Sequence, residues 1–158
     1  MKKGFSLLIC MILLLSCAAA EQTVFLPQSR YALILPDGMA YSAPEEEDFG
    51  VKAFISDTLE MDYRSYPREE AAAFGLMPTM RESAETLAAQ GADVELRDVN
   101  GIEMLVYRVT DDADGAPCIG YVFEDGDQIV EVFFWYATQD AADMTKKIME
   151  TIAPIRDP

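Results

Sequence analysis

The chain has 158 residues, 28 acidic against 12 basic side chains, a net charge of −16 and no histidine. That charge repels nucleic acid and anionic membrane. The missing histidine removes the commonest general base and metal ligand near neutral pH.

Residues 1–20 form a segment of their own. Lys2 and Lys3 precede a mostly apolar run from Phe5 to Leu15, and Ser16-Cys17-Ala18-Ala19-Ala20 ends in an A-x-A pattern before Glu21. This is the pattern of a secretory signal. The apolar run is shorter than the about 20 residues that span a bilayer. Cleavage after Ala20 is expected, leaving 21–158 as one secreted or cell-envelope domain without a transmembrane helix. Leu14-Leu15-Ser16-Cys17 loosely resembles a lipobox, so lipidation at Cys17 is the alternative. Cys118 is then the only mature cysteine, which excludes an intramolecular disulfide and leaves an expected monomer.

Thr23–Leu26 and Tyr31–Leu35 read as short strands, the second stopped by the turn Pro36-Asp37-Gly38. Glu45-Glu46-Glu47-Asp48 reads as a solvated loop. Val51–Ser56 and Leu59–Tyr66 read as strands. Pro67–Phe74 reads as a helix that stops at Gly75. Thr79 and Glu82 fit a capping box for the next helix, which ends at Gly91.

The second half carries the clearest signals. Asn100-Gly101 joins strands Val94–Val99 and Ile102–Thr110, and Asp125-Gly126 joins Cys118–Phe123 and Gln128–Tyr136. The result is a four-strand antiparallel meander. A helix follows, capped by Thr138, with Ala141, Met144, Ile148 and Ile152 on one face. Closing the loop Asp111–Pro117 with Thr110 opposite Cys118 predicts one face with Val94, Leu105, Tyr107, Ile119, Tyr121 and Phe134. The other face then carries Arg108, Cys118, Val122, Glu131, Phe133 and Trp135. Both faces are apolar enough to need cover. The expected fold class is therefore α+β: an antiparallel sheet with helices on both faces, an α/β/α sandwich.

Tyr31-Ala32-Leu33-Ile34-Leu35-Pro36-Asp37-Gly38, the Asn100-Gly101 hairpin with its meander, and the helix Thr138–Ile152 together resemble the PsbP-like and Mog-like domains. The resemblance rests on element order across Tyr31–Ile152. It implies an α/β/α sandwich and a non-catalytic accessory or binding role, and carries over no site residue.

Candidate chemistry is sparse. Asp111, Asp112, Asp114 and Gly115 fail the EF-hand pattern, since Thr110 and Tyr121 would occupy its two end positions. No cofactor or metal site is predicted; weak divalent binding by the acidic loops stays open. Without histidine no Ser or Cys triad exists, and Lys52, Lys146 and Lys147 read as exposed. One constellation stands out. The assumed register brings Arg108 and Glu131 together over Gly120, beside Trp135 and Cys118. It reads as a small polar pocket or, preferentially, as a partly buried ion pair. The functional expectation is an exported non-catalytic binding or accessory domain for an unknown protein or small ligand. A small exported carboxylate- or metal-dependent hydrolase is the alternative.

Overall fold

The computed structural model describes residues 21–42, 52–77, 79–110 and 115–155. The expected signal segment and lipobox cysteine, the acidic run at 45–48 and Asp111–Asp114 lie outside the described residues.

The expected elements form, with small shifts at their ends. Strands β1 (Gln22–Phe25) and β2 (Tyr31–Leu35) pair as a hairpin, and β3 (Ala40–Ser42), β4 (Lys52–Ile55) and β5 (Leu59–Pro67) follow. The stretch after Pro67 is a 3-10 helix, Arg68–Phe74, closed by Gly75 with φ of 78°. Helix α1 (Met80–Ala89) starts at Thr79, whose Oγ1 accepts the Glu82 N–H at 3.3 Å and donates to the Glu82 carboxylate at 2.9 Å. The meander is β6 (Asp93–Val99), β7 (Ile102–Thr110), β8 (Pro117–Asp125) and β9 (Gln128–Tyr136). Helix α2 (Gln139–Met149) is capped by Thr138, which accepts the Ala141 N–H at 3.2 Å. A two-residue β10 (Ala153–Pro154) returns to pair with β2.

The described strands form a seven-stranded antiparallel sheet, β3-β4-β5-β9-β8-β7-β6, and a small sheet, β1-β2-β10. Helix α2 and the small sheet cover one face of the large sheet. Leu33, Leu35, Ile148, Met149 and Ile152 pack there against Met61, Val106, Phe123 and Phe134. The 3-10 helix and α1 cover the opposite face, where Ala71, Leu76 and Met80 meet Leu105, Val122 and Ile129. The helix–sheet–helix order is as expected; the small sheet is an addition. Phe123 and Phe134 are fully buried, each contributing about 1.5–3 kcal/mol by leaving water.

Two registers differ from expectation. The β8–β9 tip is Gly126-Asp127 rather than Asp125-Gly126, since Asp125 faces Gln128. Gly126 takes φ of 63° while Asp127 does not turn positive, as in a hairpin with glycine at its first central position. That two-residue shift keeps every side chain on its expected face. The β7–β8 shift does not. Thr110 faces Pro117, so the connection is 111–116, one residue shorter than assumed. Proline at the first strand residue loses no needed ladder donor. A one-residue slip turns a whole strand pair over. Met104 and Val106 therefore share the α2 side with Ile119 and Tyr121, and Leu105 and Tyr107 share the α1 side with Val122.

Candidate functional site

The β7–β8 register separates the expected pair. Arg108 stands opposite Ile119 on the α2 side, where its guanidinium meets Asp93 at 3.2 Å and Glu95 at 3.4 Å. Glu131 lies on the other face. The Arg108–Glu131 pairing over Gly120 is therefore not formed. Glu131, Cys118 and Trp135 do share a face. Cys118 and Trp135 are direct register partners, and the Trp135 Nε1–H donates to Asp62 Oδ2 at 3.1 Å.

No pocket opens above Gly120. The Tyr107 ring lies across it, and a Cβ there would stand 2.2 Å from Tyr107 Cζ. Glu131 instead pairs with Arg64, its register partner in β5, through Arg64 Nε and Glu131 Oε2. The Arg64 guanidinium sits 4.4 Å from the Phe74 ring centre, with Phe133 and Tyr66 at 5.6 and 5.8 Å. Burial pushes the Glu131 carboxyl above its ordinary range, against the opposing pull of Arg64. Burial, reinforced by Glu131, raises the Tyr66 and Tyr107 phenols far above theirs, so both stay protonated. The buried Tyr66 hydroxyl has no hydrogen-bond partner among the described residues. The cluster clamps the 3-10 helix onto β5 and β9.

The open site is on the opposite face. A cleft of about 620 Å³ runs between α2 and strands β6–β8, lined among others by Arg97, Arg108, Tyr121, Thr145, Lys146 and Lys147. Four of the chain's twelve Lys and Arg converge there. Sequence spacing explains the convergence. Arg97 and Arg108 alternate onto the α2 side of β6 and β7. Ala142, Lys146 and the C-cap Glu150 follow at four-residue spacing along α2, with Thr145 three residues after Ala142. The Asn100 side chain ties the β6–β7 turn to the end of that helix, donating to the Glu150 and Ile152 carbonyls at 2.8 and 3.1 Å.

The four cations are unequally occupied. Arg108 is held by Asp93 and Glu95, and Lys146 lies 3.7 Å from Glu150. Arg97 and Lys147 have no ion-pair partner within 4 Å among the described residues. Tyr121 and Thr145 are buried at the floor. Burial raises the Tyr121 phenol, moderated by the facing Thr145 hydroxyl and by Arg97 and Arg108. The cleft can therefore bind a charged ligand through ionic contacts over a buried lining of Ile119, Tyr121 and Thr145. Sequence reasoning missed it because Lys146 and Lys147 read only as solvated. The usable signal was the concentration of scarce cations in two short segments.

No protein-family model and no curated protein sequence matches the chain. Solved structures do resemble it. A crystal structure from Bacteroides thetaiotaomicron VPI-5482 aligns over 86% of this chain at 10% identity with a TM-score of 0.59. This chain spans about half of that protein, 49% of its length. The solution structure of cyanobacterial PsbP (CyanoP) from Synechocystis sp. PCC 6803 aligns over 88% of this chain and 95% of its own, at 14% identity with a TM-score of 0.54. The fold is PsbP-like.

Proposed function

We propose that this chain is an exported, non-catalytic binding or accessory domain of the bacterial cell envelope, and that the cleft between α2 and β6–β8 is its working surface. The observation that carries the reading is the cleft, where an acidic chain collects four of its cations around a cavity of ligand size. The buried carboxylates support it from the other side. Asp62 accepts from Trp135, Asp125 from Arg30, and Glu131 from Arg64. Each is engaged in holding the fold, which argues against a carboxylate-based hydrolase with one acid and one base kept free. The signal pattern of residues 1–20 and the PsbP-like fold agree with the same role. Among the described residues no helix is long and apolar enough to cross a membrane.

Native mass spectrometry of the protein recovered from its envelope fraction tests the reading. A bound species should appear with the natural chain and vanish with Ala142→Trp, which fills the cleft while leaving the melting temperature in place. A panel of hydrolase substrates should show no turnover. Equal retention by both proteins, or turnover of a substrate, would reject it.

A further inference from the structure

We propose that the cleft takes a small anion carrying at least two negative charges on phosphoryl or carboxylate groups. The inference rests on the cleft being the binding surface and adds the class of ligand.

Among the described residues, five cations have an acidic partner within 4 Å. Arg30 takes Asp125, Arg64 takes Glu131 and Arg68 takes Glu124. Arg81, Arg97 and Lys147 take none among the described residues, and of these Arg97 and Lys147 share the cleft. Two open cations set a ligand of two charges. Arg108 and Lys146, already shared with acids, can strengthen the hold by reorienting toward it.

The donor types fit oxyanions. A guanidinium offers parallel N–H groups to two oxygens of a phosphate or carboxylate, and an ammonium supplies a compact charge beside it. The buried part of the lining is Ile119, Tyr121 and Thr145, with no carboxylate among them. A volume of about 620 Å³ lies inside the range of about 300–1,000 Å³ for small-molecule sites.

The net charge of −16 does not veto an anion. At physiological salt, charges beyond about 8 Å are largely screened, so contact with the open cations outweighs the distant acids. Asp143 and Glu150 also line the cleft and would favour a cationic ligand instead; the test therefore includes one.

Isothermal titration at constant ionic strength supplies the test, with pyrophosphate, citrate, chloride and spermidine as probes. Pyrophosphate or citrate should bind one to one and saturate, while chloride and spermidine should not. Preference between the first two separates phosphoryl from carboxylate ligands. Arg97→Gln and Lys147→Gln should each weaken binding about tenfold or more, the worth of one charged hydrogen bond. Arg81→Gln, on a separate groove beside Gly101, should change nothing. If Arg97→Gln lowers the melting temperature, the exposed Lys147→Gln carries the comparison. No saturable binding of either anion, binding of spermidine in their place, or full affinity in the Lys147 variant would overturn the inference. If the anions fail while Ala142→Trp still loses the native ligand, the cleft binds something uncharged or cationic. If Ala142→Trp loses nothing, the cleft itself is not the site.

Discussion

Arg64 in β5 and Glu131 in β9 stand directly opposite each other, and their side chains close an ion pair beneath the 3-10 helix. Glu131 is almost fully buried, with 3% of its side chain exposed against 20% for Arg64. Removing one partner from such a pair costs about 3–5 kcal/mol, far more than the under about 1 kcal/mol of an exposed pair. Arg64→Met should therefore destabilise strongly, by stranding a buried carboxylate. Arg64→Met/Glu131→Gln should recover part of the loss. Urea unfolding of the two single variants and the double variant measures the coupling. Additive effects would show that the pair contributes nothing as a pair.

The same carboxyl predicts a pH dependence. Its native value lies above the ordinary 4.5, so the native state holds that proton more tightly than the unfolded chain. The stability this contributes is full below 4.5 and is lost as pH rises through the native value. Thermal unfolding of wild type and Glu131→Gln from pH 4 to 8 should show the wild-type advantage shrinking upward. Asp125 runs the other way. Burial pushes it up, but the Arg30 backbone N–H and guanidinium outweigh that and hold it below 3.8. Its contribution is present above 3.8 and lost as pH falls further, and it cancels between the two proteins compared. A flat or widening difference would contradict the Glu131 assignment.

Gly120 is required by contact rather than by backbone angle. A Cβ at this position meets the Tyr107 ring at 2.2 Å, and forced overpacking typically costs about 1–3 kcal/mol. Gly120→Ala should lose that much stability in the natural chain and much less in a Tyr107→Ala background. Chemical denaturation of the four proteins decides it. An equal loss in both backgrounds would place the clash elsewhere.

Much of the fold was legible because its punctuation is local. Asn100-Gly101, Thr79, Thr138 and Gly75 each mark an element end by a backbone or capping requirement that needs no tertiary information. The site was not legible, for a different reason. Whether Arg108 or Tyr107 shares a face with Glu131 depends on one residue in the connection after Thr110. Both faces of the sheet are buried and apolar, so hydrophobic pattern does not choose between the registers. Pro117 opening the strand was the one local clue. The pairing of β5 with β9, which supplies Arg64, spans more than sixty residues and left no local signal. Cys118 and Trp135 fell on their expected face because a two-residue slip at the β8–β9 tip preserves alternation.

Cys118 is 3% exposed and lies opposite Trp135 in the middle of the sheet. Its thiol should react slowly with a maleimide in the native protein and quickly in urea, and the protein should run as a monomer on non-reducing gels. Mass mapping of the label to Cys118 checks this. Rapid native labelling would show that the β8–β9 surface opens.

Backbone amide shifts on adding pyrophosphate report whether an anion docks between α2 and β6–β8. Saturable shifts should cluster at Arg97, Arg108, Tyr121, Thr145 and Lys147, with none at Arg64 or Glu131 on the opposite face. Shifts confined to the groove around Thr79 and Gly101, or no saturable shift at all, would contradict docking in that cleft.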